Sequence, residues 1–123
     1  MLKSKLHRRK NAHLVMGNDA EAKAKTFFVE QGLSYIGQNY LCAFGEIDLI
    51  MTDRQTLIFV EVRYRKNNLF GSALESITLR KQHKITNSAQ HFIQHNQKYS
   101  KWPLRFDALG ITGEDMQWVK NAF

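Results

Sequence analysis

The stretch from Phe44 to Arg65 constrains this chain most, because it places charged residues inside apolar, strand-like runs. The runs Glu46–Met51 and Thr56–Tyr64 are rich in Ile, Leu, Val and Phe, and the polar residues 52–55 separate them. Apolar runs of this kind on either side of polar turn residues predict a β-hairpin. The strands of this hairpin carry Glu46, Asp48, Glu61 and Arg63. These charges must therefore form ion pairs, be exposed to solvent or take part in a functional site.

The turn determines which of these charges meet. If residues 53–54 form a two-residue turn, Asp48 lies opposite Phe59 and Glu46 lies opposite Glu61, since side chains alternate along a strand. All four charged groups then lie on one side of the hairpin, with Asp48 and Glu61 as diagonal neighbours about 7–8 Å apart. A shift of one residue would move Glu61 to the opposite face.

Three carboxylates on one small patch repel one another, so one should take up a proton or the patch should lose stability. A divalent cation would remove the conflict, and hard oxygen ligands suit Mg²⁺ or Mn²⁺. The alternative interpretation is a solvent-facing surface on which Glu61 and Arg63 make ordinary cross-strand ion pairs. The pattern is compatible with both.

The composition predicts a single soluble domain and a polyanionic partner. The 123 residues suffice for one core, and residues 17–123 are assigned to that domain. The net charge of +7 favours nucleic acid or an anionic membrane surface. No apolar run approaches the roughly 18 residues of a membrane span. A lone Cys42 excludes a disulfide framework, and a cytoplasmic location is expected. Residues 1–16 are basic and predict either a flexible phosphate-contacting arm or a disordered terminus.

Helix and strand signals give the element order α-β-β-β-α-β-β, a mixed sheet with helices packed against it. The predicted helices run from a cap at Asn18 or Asp19 to Gln31, and from a cap at Thr78 to Asn96. The predicted outer strands are Leu33–Cys42 with a possible bulge at Gly37, Leu104–Ile111 and Met116–Phe123, and residues 98–103 are read as a linker.

Several polar residues along these elements are candidates for function. Glu21 lies at the margin of the apolar stripe of the first helix, so it either reaches the core side or stays solvated. The basic candidates for phosphate binding are Arg65 and Lys66, which open a polar loop ending near Ser72, and Arg80, Lys81 and Lys84 near a helix N-terminus. His91 and His95 have a spacing that can bind zinc on a helix, but no acidic partner accompanies them.

The spacing of these motifs resembles that of the YraN-like family of bacterial proteins, from Gly17 to the last residue. The segments that carry the resemblance are Glu21, Gly45–Asp48, Phe59–Arg63 and Arg105–Asp107. The resemblance implies an α/β restriction-endonuclease-like core of the PD-(D/E)xK type, similar to archaeal Holliday junction resolvases. It also implies a metal-dependent nuclease acting on DNA, with branched or junction DNA as one possible substrate, and by analogy a homodimer.

The resemblance assigns roles by position. It implies catalytic roles for Glu21, Asp48, Glu61 and Arg63, and metal ligation by Asp48, Glu61 and the backbone carbonyl of Val62. Arg63 stands where the family pattern expects lysine, which is thought to activate the attacking water and stabilise phosphate charge. Arginine keeps the charge and adds a two-pronged donor, but it does not readily lose a proton. Arg63 is therefore suited to phosphate binding and poorly suited to proton abstraction.

Three hypotheses follow. The first is a Mg²⁺- or Mn²⁺-dependent nuclease, which the cluster of carboxylates favours. The second is a nucleic-acid-binding protein with a degenerate nuclease site, which Arg63 favours and which predicts salt-sensitive binding with a dispensable Asp48. The third is a partner-binding module in which the acidic residues of the hairpin are structural.

Overall fold

A mixed five-stranded sheet forms the centre of the molecule, with one long helix on each face. The structure is a computed structural model that describes residues 12–66 and 77–123, with side chains described from residue 19 onward. Its elements are α1 (Ala12–Glu30), β1 (Ser34–Cys42), β2 (Gly45–Asp53), β3 (Thr56–Arg65), α2 (Leu79–Gln94), a short 3₁₀ helix (Gln97–Tyr99), β4 (Leu104–Thr112) and β5 (Asp115–Val119).

The strands lie in the order β1-β2-β3-β4-β5. Neighbouring strands are antiparallel except for β3 and β4, which are parallel and are joined across one face by α2. The predicted mixed sheet and the order α-β-β-β-α-β-β are confirmed, and this arrangement is compatible with a nuclease-like core.

Two apolar clusters hold the layers together, one on each face of the sheet. The first contains Ala24 and Phe28 of α1 packed on Ile58 and Val60, and the second contains Phe92 of α2 packed near Phe59. Because helices cover both faces, β3 is buried along six consecutive residues rather than at alternate positions. A charged residue within that run lies in the core rather than in solvent.

The hairpin between β2 and β3 forms, but its predicted register is wrong. The residues between the strands are Arg54 and Gln55, and Ile50 rather than Asp48 pairs with Phe59. The shift amounts to two residues. Since side chains alternate with a period of two, it preserves the face of every residue while changing each partner.

The two long helices compare differently with their predictions. Thr78 caps α2, and its hydroxyl accepts a hydrogen bond from the Lys81 N–H at 3.2 Å, as predicted. The predicted cap of α1 at Asn18 or Asp19 is wrong, because the helix begins at Ala12. No proline interrupts residues 12–19, and a single internal Gly17 costs only about 1 kcal/mol, so the helix continues past both candidate caps.

The connections show one confirmed prediction and one correction. A register shift lies between Tyr35 and Gly37 of β1, where the bulge was predicted. The segment read as a linker contains the end of the 3₁₀ helix, and its Tyr99 and Trp102 pack against the cluster under α2. It is therefore part of the core.

Two predicted regions lie at least partly outside the described residues. They are the basic arm, of which residues 1–11 are not described, and the polar loop after Lys66, of which residues 67–76 are not described. Within the described residues, no helix combines the length and apolar character needed to cross a membrane.

Candidate functional site

Asp48 lies where β2 and β3 stop pairing. The last backbone pair on this side of the hairpin is Leu49 with Val60. One residue further along β2, the Asp48 carboxylate accepts a hydrogen bond from the Val62 N–H at 2.9 Å, so a side chain replaces a backbone acceptor. Glu61 lies near this carboxylate, and the two side chains interact directly.

The strand alternation is interrupted around Asp48. Ile47 and Ile50 both belong to the cluster under α2, although strict alternation would put residues three apart on opposite faces. Leu49, between them, belongs to the cluster under α1. This irregularity places Asp48 at the junction of the two faces, where its charge acts on acidic residues from both sides.

Glu61 is an almost fully buried carboxylate, with 1% of its surface exposed. Its Oε2 lies 2.7 Å from Arg63 Nη2 and 3.8 Å from Lys81 Nζ, yet neither oxygen makes a well-oriented hydrogen bond to a donor. Burial raises the pKa of Glu61 to about 8, and the charge of Asp48 adds to the rise against the opposing charges of Arg63 and Lys81. The alternative of a solvent-facing Glu61 is therefore wrong.

Asp48 and Glu61 share their surroundings closely enough to interact as a pair. Burial raises the pKa of Asp48 as well, while its bond from Val62 and the charge of Arg63 favour the ionised form. A side-chain hydrogen bond between them lowers the pKa of Asp48 and raises the pKa of Glu61.

Glu21 of α1 approaches this pair from the opposite face of the sheet. Burial, together with the charges of Asp48 and Glu46, raises the pKa of Glu21 to about 8. Its Oε1 is buried and has no hydrogen-bond partner. The structure thus brings Glu21, Asp48 and Glu61 into one electrostatic group, as the sequence suggested.

Asn39 of β1 belongs to the same group and was missed by the sequence analysis. Its side chain is 5% exposed and donates a hydrogen bond to Glu21, which partly offsets the rise of that pKa. Its backbone is left-handed, with φ of 55°. Asn is depleted in strands but tolerates this conformation. The signal available in the sequence was therefore an Asn inside a predicted strand.

The predicted basic residues divide into two groups. Arg63 and Lys81 contact Glu61, with 26% and 35% of their side chains exposed. The others lie on the surface and have no acidic partner among the ion pairs of the described residues: Arg65, Lys66, Arg80 and Lys84.

The acidic group suits a hard divalent cation in its chemistry, since Oε1 of Glu21 and both carboxylate oxygens of Glu61 are buried without a hydrogen-bond partner. Within residues 12–66 and 77–123, however, no three acidic, histidine or cysteine side chains converge as metal ligands. Ligation of a metal ion by Asp48 and Glu61 therefore stays a prediction. The described contact of Val62 is made by its N–H to Asp48, and ligation by its carbonyl stays a prediction.

A second buried carboxylate, Asp107 of β4, has the opposite character. Arg105 donates to both of its oxygens at 2.9 Å, Trp118 Nε1 donates to Oδ2, and the Asn121 N–H donates to Oδ1, each also at 2.9 Å. Asp107 thus links Trp118 and Asn121 to β4 by hydrogen bonds, and these bonds satisfy its carboxylate within the protein.

The fold and the site together define a class: an α/β protein whose mixed sheet gathers buried acidic side chains where two central strands separate. A sequence model described as the uncharacterised protein family UPF0102 matches residues 20–111, and the chain belongs to that family. It is 48% identical to a UPF0102 protein of Saccharophagus degradans over 111 residues, covering 90% of this chain and 94% of the relative. It is 46% identical to a UPF0102 protein of Pseudomonas syringae pv. syringae over 112 residues, covering 87% and 91%. The resemblance to the YraN-like family is confirmed.

Proposed function

We propose that the protein is a metal-dependent nuclease that hydrolyses phosphodiester bonds in DNA, with branched or junction DNA as a candidate substrate. The observation that carries the proposal is the interaction of Asp48 with Glu61, whose buried oxygens receive no hydrogen bond from a protein donor. Glu21 adds a third acidic group to the pair.

The energetic argument starts from the cost of this arrangement. Carboxylates that are buried without sufficient donors destabilise the folded state, and an apolar residue at position 61 would pack into the core without that cost. Strongly raised pKa values of the kind found at Glu21 and Glu61 are typical of functional sites. A site that binds a cation and a phosphate is the function that accounts for acidic and basic groups side by side.

The roles follow from the contacts. Asp48 and Glu61 would hold Mg²⁺ or Mn²⁺ with assistance from Glu21, and such an ion supplies an activated water and polarises the phosphate. Arg63, whose guanidinium already lies beside Glu61, would bind the scissile phosphate through its fork of donors. The surface residues Arg65, Lys66, Arg80 and Lys84 would position the strand through other phosphates.

The test compares conservative variants on β2 and β3. Wild-type protein, Asp48→Asn, Glu61→Gln and the control Asp53→Asn are incubated with branched and duplex DNA in Mg²⁺ and in Mn²⁺. Asp53 lies at the far end of β2 from the site, so its variant should match the wild type. We expect Asp48→Asn and Glu61→Gln to lose cleavage by more than about 100-fold while binding DNA in the absence of metal. Wild-type protein that binds DNA but cleaves no substrate in either metal would refute the nuclease.

A second candidate is a nucleic-acid-binding protein without catalysis. The close contact between Arg63 and Glu61 favours it, because a fixed cation 2.7 Å from the carboxylate competes with a metal for that oxygen. Calorimetry with Mg²⁺ and Mn²⁺ distinguishes the two. The nuclease binds metal through Asp48, and the binder shows no metal uptake even with DNA present. Arg63→Lys sharpens the result, since the shorter lysine would release Glu61 and allow metal to bind.

A further inference from the structure

One side of α2 and its C-cap carries polar and basic side chains beside the turn between β1 and β2, and of these Ser88 is buried. These side chains recur every three or four residues, which places them on one side of a helix. We call this line the α2 stripe: Lys81, Lys84, Ser88, His91 and His95. It covers about 20 Å of helix axis at 1.5 Å per residue.

The stripe begins at the acidic site and passes close to the sheet. Lys81 Nζ lies 3.8 Å from Glu61 Oε2 at one end. Further along, a Cβ at Gly45 would lie 3.8 Å from both Lys84 Cβ and Ser88 Oγ. These are ordinary contact distances, and it is the backbone of Gly45, with φ of 139°, that favours glycine at this position.

The other end of the stripe is an ordered group of rings. His91 and His95 stack with centroids 4.3 Å apart. The Tyr40 hydroxyl hydrogen-bonds to His91 Nδ1, and His95 Nδ1 bonds to the His91 carbonyl oxygen at 2.9 Å. The Phe44 ring stands edge-on to His91 at 6.4 Å. These contacts fix the rings before any ligand arrives, which lowers the entropy lost on binding.

Phe44 is the exposed apolar member of this group. It leaves 49% of its surface in solvent at the turn between β1 and β2. A large ring that the core does not use, beside an imidazole stack and in line with lysines, matches a surface on which bases stack while cations contact the backbone phosphates.

We propose that the α2 stripe and Phe44 form a track for a single strand of nucleic acid that leads into the acidic site. Phosphates would contact Lys81 and Lys84, and unpaired bases would stack on Phe44 and His95. This rests on the nucleic-acid part of the proposed function, and it narrows the substrate to DNA with an unpaired segment next to the reacting phosphate. A fully paired duplex cannot use the track, because its base faces are already stacked on one another.

The test measures binding in the presence of a chelator, so that cleavage does not interfere. Fluorescence anisotropy follows a labelled single strand of roughly 15 nucleotides, a length within the range of known single-strand sites, and a duplex of the same sequence. Phe44→Ala should weaken binding of the single strand about tenfold, the loss expected for one stacked base, and leave the duplex unchanged. Phe44→Trp should restore binding, and Phe44→Leu should not.

Leu41 supplies a matched control. It lies three residues before Phe44 near the same turn and is 48% exposed, but it has no ring. Leu41→Ala should leave single-strand binding unchanged. Equal losses from Leu41→Ala and Phe44→Ala would overturn the track in favour of an apolar protein-docking surface. The track would also be overturned if Phe44→Ala bound the single strand as tightly as the wild type does. Equal losses of affinity for the single strand and for the duplex would overturn it as well.

Control experiments distinguish a failure of the track from a failure of the proposed nuclease function. Circular dichroism melting should show that Phe44→Ala folds like the wild type, as expected for a half-exposed side chain. Single-strand binding that depends on Phe44 without cleavage of any substrate would refute the nuclease and keep the track. Metal-dependent cleavage that Phe44→Ala leaves unchanged on substrates with unpaired segments would refute the track and keep the nuclease. Binding to anionic lipid vesicles that requires Phe44, with no effect on nucleic acid, would replace the track with a membrane surface.

Discussion

Asp107 and Glu61 are both buried carboxylates on the two parallel strands, yet their surroundings differ completely. Asp107 receives four hydrogen bonds, from Arg105, Trp118 and the backbone of Asn121. Glu61 is equally buried but receives no well-oriented hydrogen bond from a donor. Its nearest cations, Arg63 and Lys81, are partly exposed.

The comparison teaches how to separate a structural charge from a functional one. A buried charge that only stabilises a fold needs a full set of donors, because an unsatisfied one costs more than it contributes. Asp107 meets that requirement. Glu61 does not, and its nearest cations are partly exposed to solvent, as the proposed binding of a metal and a phosphate requires. The predictions below test this contrast and are ordered by decreasing expected effect on stability.

Removing the satisfied carboxylate should have the largest effect on stability. Asp107→Ala leaves the Arg105 guanidinium and two further donors without their acceptor, so we expect a loss of about 3–5 kcal/mol of unfolding free energy. Chemical denaturation measures it. Asp115→Ala on exposed β5 is the control and should stay within about 0.5 kcal/mol of the wild type. A small loss for Asp107→Ala would mean that the C-terminal residues are held by packing alone.

The unsatisfied carboxylates should instead make stability depend on pH. The folded-state pKa values of Glu21 and Glu61 are raised to about 8 from the ordinary 4.5, so the unfolded chain releases these protons first. Between pH 4.5 and about 8 the folded state holds more protons, and stability should fall as pH rises, by roughly 1 kcal/mol per pH unit for each group.

The measurement is the difference in unfolding free energy between variant and wild type across this pH range. The subtraction removes the contributions of ionisable groups that both proteins share. Glu21→Gln and Glu61→Gln should each flatten the fall, and at pH 8 each variant should be at least as stable as the wild type. A Glu61→Gln variant that is strongly destabilised at pH 8 would place Glu61 in the same structural category as Asp107.

The smallest effect on stability should come from Asn39, whose hydrogen bond only adjusts the pKa of Glu21. Asn39→Gly keeps the left-handed backbone and removes the hydrogen bond to Glu21, so the pKa of Glu21 should rise further and stability should change by about 1 kcal/mol. Carboxyl-selective NMR titration reads that pKa directly. Gln38→Gly, one residue earlier on β1, serves as the control and should leave the Glu21 titration in place.

Local chemistry explains the features that the sequence predicted well. The cap at Thr78 depends on one hydroxyl and a backbone N–H three residues away. The bulge before Gly37 and the acidic residues Glu21, Asp48 and Glu61 were also identified from the chain, the first from glycine punctuation and the others from charges within apolar runs or from the family resemblance.

Competition between nearly equivalent local choices explains the errors. Residues 53–54 and residues 54–55 are both acceptable polar turns, and only the packing of both strands against the helices selects the second. The start of α1 was placed too late because a weak capping preference cannot end a helix that nothing else interrupts.

By itself, the sequence determined the element order, the hairpin and the identity of the charged residues within it, because hydrophobic periodicity and turn chemistry act over a few neighbouring residues. Only the tertiary structure decided that Asp48 interacts with Glu61, that Asn39 reaches Glu21, that Lys81 reaches Glu61 and that Asp107 is saturated with donors. These pairs join residues from separate elements. Their contacts and their burial exist only once the sheet and both helices have packed.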